Sequence, residues 1–94
     1  MINVPRVVSS TVTLDFSDRT VVATSGTFNV NLPNIPTGQV GQELWIKNRG
    51  AGTVTLDGNG SDNIDGATTY ALAAGEGVII QAYNTTNWSV MAKI

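Results

Sequence analysis

Apolar residues recur at every second position along most of this chain, and a period of two is the mark of strands that bury one face. Val12, Leu14 and Phe16 alternate with Thr13 and Asp15. Phe28, Val30 and Leu32 alternate with Thr27, Asn29 and Asn31, and the run stops at Pro33, which has no N–H to give a ladder. Leu44 and Ile46 share one face, with Trp45 and Lys47 on the other. The pattern continues through Val54 and Leu56, Tyr70 and Leu72, then Val78, Ile80 and Ala82, and closes with Trp88, Val90, Ala92 and Ile94. No window of helical length carries apolar residues at three-four spacing without Gly, Pro or a β-branched run. Turn chemistry falls between the strands instead, in NLPNIPTGQVGQ (31–42), NRGAG (48–52), a long stretch over 55–70, AAGEG (73–77) and NTTN (84–87). Strand, short turn, strand at this rhythm predicts an all-β fold, a small antiparallel β-sandwich or jelly-roll-like barrel. Residues 11–94 read as one β domain without linker or internal repeat, and residues 1–10 as an extended N-terminal arm.

The residues that are missing exclude whole classes of chemistry. The chain has no cysteine and no histidine, so disulfides, thiolate metal sites and Ser-His or Cys-His nucleophilic catalysis are ruled out. Arg6, Arg19, Lys47, Arg49 and Lys93 are scattered along a chain of net charge −2, whereas a nucleic-acid surface shows a basic patch or stripe. No run approaches the roughly 20 apolar residues of a membrane span. Pro5 and Arg6 interrupt the first apolar stretch, so it lacks the core of a secretory signal. The expectation is a soluble protein made in the cytoplasm, binding neither nucleic acid nor membrane. Its 94 residues bury only roughly 60 to 70% of the unfolded surface, which leaves room for a partner to add stability.

One stretch could still hold chemistry. TLDGNGSDNIDGATTY (55–70) carries three aspartates, two asparagines and three glycines. Against the helical calcium-loop pattern, Asp57, Asn59 and Ser61 fit the first, third and fifth positions, but Asp62 stands where glycine is required and Thr68 where the bidentate Glu belongs. Against the calcium-binding β-roll nonapeptide, Gly58, Gly60, Asp62 and Ile64 fit, yet such sites form between stacked copies and there is one copy here. Asp62 and Asp65 could reach the spacing of a glycosidase acid pair, but nothing near them suggests the apolar walls that raise an acid's pKa. The remaining reading is architectural: Gly58, Gly60 and Gly66 supply positive φ, Asp and Asn side chains bond their own backbone, and Ile64 plugs the loop from beneath. No metal, cofactor or enzymatic activity is expected.

Two groups of residues are candidates for binding a partner. In the arm, Ile2, Val4, Val7 and Val8 are too apolar for a free tail; they lie either on their own domain or along the sheet edge of a neighbouring subunit. Among the aromatics, Trp45, Tyr83 and Trp88 either pack in a core or subunit interface or contact a ligand.

Leu32-Pro33 before a Gly-rich turn, IKNRGAGTVT (46–55), DNIDGATTYAL (62–72) and TTNWSV (85–90) follow one another in an order that resembles a small β module of tailed-bacteriophage virion proteins, among them head-decoration proteins, tail fibres and tailspikes. The matching elements span about two thirds of the chain. The resemblance implies a trimeric, non-enzymatic building block of a phage particle. In tail fibres the module sits within much longer chains, so a separate domain of this size is expected to be a capsid decoration or cement protein on the virion surface. Its partners would be the major capsid protein and two further copies of itself. The alternative is a tail-fibre or tailspike module that binds a bacterial surface glycan.

Overall fold

The computed structural model describes residues 5–94 of the chain. Its regular structure is almost wholly strand: β1 (Arg6–Val8), β2 (Val12–Thr13), β3 (Thr20–Ala23), β4 (Phe28–Asn31), β5 (Glu43–Asn48), β6 (Val54–Asp57), β7 (Asn63–Ile64), β8 (Thr69–Leu72), β9 (Gly77–Asn84) and β10 (Asn87–Lys93). Among the described residues the one helical element is a short 3-10 turn at Thr37–Gln39. The strands form two sheets, one in the order β1-β3-β5-β9-β10-β7 and one in the order β2-β4-β6-β8. The expected all-β class holds.

The expected antiparallel arrangement does not. Five of the eight pairings are parallel: β1 with β3, β3 with β5, β2 with β4, β4 with β6, and β7 with β10. The reason lies in the short connections over residues 9–11, 24–27 and 49–53, which carry the chain across to the other sheet rather than back along the same one. In the series β1-β3-β5 and β2-β4-β6, successive strands of one sheet are therefore separated by a strand of the other and run the same way. A hairpin needs a turn that returns within its own sheet; among the described residues only β9 and β10 follow each other in sequence as an antiparallel pair.

These crossings stack closely on one another. A Cβ at Gly52 would run into the carbonyl of Gly26, and one at Gly50 would lie 2.9 Å from the Cα of Ser25. The glycines of NRGAG thus permit one backbone corner to lie on the previous corner, a demand of space rather than of dihedral angle. The corner is fixed by Asn48, which is buried in phase with Leu44 and Ile46. Its amide nitrogen donates to the carbonyls of Gly52 (2.8 Å), Leu72 (3.0 Å) and Ala73 (3.2 Å), and its side-chain oxygen accepts from the Gly50 N–H at 3.1 Å.

Among the described residues the buried apolar side chains form one cluster drawn from both sheets. Val21, Ala23, Leu44, Ile46, Val78, Ile80 and Ala82 come from the first, and Phe28, Val30, Val54, Leu56 and Leu72 from the second. Each fully buried Val, Leu or Ile contributes roughly 1.5–3 kcal/mol. Leu32 and Ile35, from the connection after β4, add to it, and Phe16 stacks on Trp88 with ring centroids 6.0 Å apart. Strand β10 breaks the expected alternation. Its register with β9 shifts between Val90 and Ala92, so Val90 opposes Ile80 while Ala92 opposes Ile79. A bulge at Met91 thus turns the last residues to the other face, and Met91 and Ile94 are both exposed.

Candidate functional site

Part of the arm lies on its own domain. Residues 6–8 form β1 and pair with their own β3, Arg6 opposite Val21 and Val8 opposite Ala23. Val8 faces the core, while Val7 is exposed next to the half-buried Val22. Ile2 and Val4 lie outside the described residues. The turn from β2 back to β3 is drawn against β1 by a 2.9 Å ion pair from Arg6 to Asp18. Asp18 also accepts the Asp15 N–H at 3.0 Å. The hydroxyl and the N–H of Ser17 both donate to Asp15, and these bonds hold its carboxyl below the usual carboxylate range.

The loop over 55–70 is ordered by its own backbone. Ile64 is buried beneath it as expected, pairs with Trp88 in register and bridges to Ala67. Gly60 and Gly66 do take positive φ. Gly58 does not; it is glycine because a Cβ there would strike the Asp62 carbonyl. The non-glycine residue in the left-handed region is Asp65, at φ 51°, and its carboxylate accepts the Val90 N–H at 3.0 Å. The three acids differ in surroundings: Asp62 is buried, Asp57 half-buried and Asp65 exposed. Among the described residues no three of the acids come together in a group that could hold a metal ion. Asp62 Oδ2 and Trp88 Nε1 are buried without a hydrogen-bond partner.

The three candidate aromatics separate. Trp88 is only 1% exposed, so it is a core residue and leaves the set of candidate contacts. Its alternation with Val90 already placed it inward. Trp45 and Tyr83 are 46% and 67% exposed. Trp45 stands on the outer face of the six-stranded sheet, opposite Thr20 on β3 and Ile79 on β9. Its backbone N–H donates to the Arg19 carbonyl at 2.8 Å. Beside it lies an open hollow of about 370 Å³ lined by Arg19, Thr20, Glu43 and Trp45. Glu43 and Trp45 share this face because they are two residues apart on β5. Sequence reasoning found Trp45 from its phase against Leu44 and Ile46 but missed Arg19 and Glu43. Arg19 reaches the site through the parallel pairing of β3 with β5, which alternation does not reveal.

No family model, no curated protein and no solved structure matches this chain.

Proposed function

We propose that this chain is a non-enzymatic structural module of a tailed-phage virion, a capsid decoration or cement protein that binds the assembled coat lattice. In this reading its two sheets form a β-sandwich that assembles as a trimer on the capsid surface. The observation that carries the reading is the flank made by β1 and β2, the first edge of each sheet. Both strands lack a neighbour on their outer side among the described residues, and the exposed Val7 lies against Val22 beside that edge. Unpaired edges are templates for another strand or subunit, and a cyclic assembly covers them. A protein that binds the completed lattice better than free coat subunits stabilises the shell by mass action. The reading is tested by mixing the purified chain with phage shells stripped of decoration protein. Saturable binding that survives high salt and raises the shell's melting temperature is expected; absence of binding removes the reading.

A second reading, a tail-fibre module that recognises a bacterial surface glycan, is favoured by one specific observation. Trp45 and Tyr83 leave large aromatic surfaces open to solvent in a molecule that has an apolar interior to receive them. Saturable binding to host cell wall would support it.

A further inference from the structure

We propose that the hollow beside Trp45 is a binding site for one or two units of a neutral saccharide. The proposal deepens the second reading above and rests on it only for the source of the sugar. The volume of about 370 Å³ falls at the lower end of the range of roughly 300–1,000 Å³ occupied by small-ligand sites. Trp45 supplies the apolar platform: the residue is 46% exposed, and aromatic faces of this kind pack against the C–H face of a ring whose edge stays wet.

Charge selects the class of ligand. Among the described residues the one ion pair is Arg6 with Asp18, so Arg19 and Glu43 line the hollow without neutralising each other. A sugar hydroxyl both donates and accepts, so it can take a hydrogen bond from the Arg19 guanidinium and give one to the Glu43 carboxylate. An anionic ligand that suits Arg19 meets Glu43, and a cation drawn to the indole and Glu43 meets Arg19. The Thr20 hydroxyl adds a further partner of either sense. The backbone beneath the site is held by pairing. Trp45 and Glu43 lie on β5, which is paired on both sides, and Arg19 is tied to Trp45 through the backbone at 2.8 Å. The backbone then needs little further ordering on binding, and the cost falls on the Arg19 and Glu43 side chains.

The two tryptophans give the test an internal control, because one is exposed and the other is in the core. The whole chain is titrated with glucose, galactose, N-acetylglucosamine and their short oligomers while the two indole N–H resonances are followed by NMR. The expected result is a saturable shift of the Trp45 resonance with at least one of these sugars, with a Kd in the millimolar range as befits a ligand of this size, and a still Trp88 resonance. Trp45→Ala should abolish saturation, and Glu43→Gln and Arg19→Gln should each weaken binding several-fold while the Trp88 resonance keeps its folded position. No shift with any neutral sugar up to about 100 mM, a concentration far above the expected Kd, would overturn the proposal. So would undiminished binding by Trp45→Ala, or tighter binding of glucuronate or glucosamine than of the neutral sugars. Binding of free sugar without binding to cell wall would leave the site standing and remove the second reading.

Discussion

The two flanks of this molecule are built differently. At the last flank, where β7 and β8 are the outer strands, the chain closes on itself. Ile64 bridges to Ala67, the Gly58 N–H donates to Thr68, the Asp65 N–H donates to Trp88, and Ile64, Leu72 and Trp88 are all buried there. At the first flank, β1 and β2 have only three and two residues, and Val7 remains 62% exposed. The last flank is closed by bonds of its own loop, while the first leaves an apolar side chain open beside its edge. A substitution at the last flank should therefore act on folding, and one at the first flank on assembly.

The largest effect belongs to the closed side. Trp88→Ala removes a fully buried ring that stacks on Phe16, and the expected loss is about 3–5 kcal/mol, read by denaturant or thermal unfolding. A loss below about 1 kcal/mol would show that this flank is not where the stability lies. Next comes the corner between the halves. Asn48→Leu would strand the carbonyls of Gly52, Leu72 and Ala73, at a cost of roughly 1–3 kcal/mol for each group left unsatisfied. With partial relaxation the sum should be about 3 kcal/mol, a fall of some 12–24 °C in Tm for a domain of this size.

Removing residues 1–9 probes the open side more gently. Because β1 pairs with β3 and Val8 is buried, the truncation should cost about 1.5–3 kcal/mol without unfolding the domain. An unchanged melting curve would mean that β1 contributes nothing to its own sheet. The smallest effect is in acid. The Asp15 carboxyl is held below its ordinary range by Ser17, so its contribution is present above the unfolded value and is lost as pH falls through the lowered one. Ser17→Ala should reduce the fall in Tm on going from about pH 4 to about pH 2. An identical acid limb in both proteins would show that the bond carries no stability at this exposed site.

How much of this was legible in the sequence depends on what alternation encodes. It records which residues face inward, and Leu44, Ile46, Val78 and Ile80 are all buried as expected, with Trp45 outward. It does not record strand direction, so connections at 9–11, 24–27 and 49–53 look like hairpin turns although they cross between sheets. Strand β3 went unread for a related reason: TVVA has two adjacent valines, and its half-buried outer face blurs the period. Without β3 the parallel ladder has no middle. Asn48 left a signal that could have been used, a polar side chain in phase with two buried residues just before Arg-Gly. The hollow at Trp45 was half legible, since its indole follows from phase while Arg19 arrives through a pairing that only the folded chain displays.

The central claim is that the exposed outer edge of the first flank carries the proposed assembly, and Val7→Lys tests it most directly. The side chain at this position is exposed on an edge strand, where a charge blunts strand addition and changes stability by no more than about 0.5 kcal/mol. Wild type and variant should melt alike, and only the wild type should sediment as a trimer and saturate stripped phage shells. A variant that trimerises and occupies shells as well as the wild type does would contradict the claim.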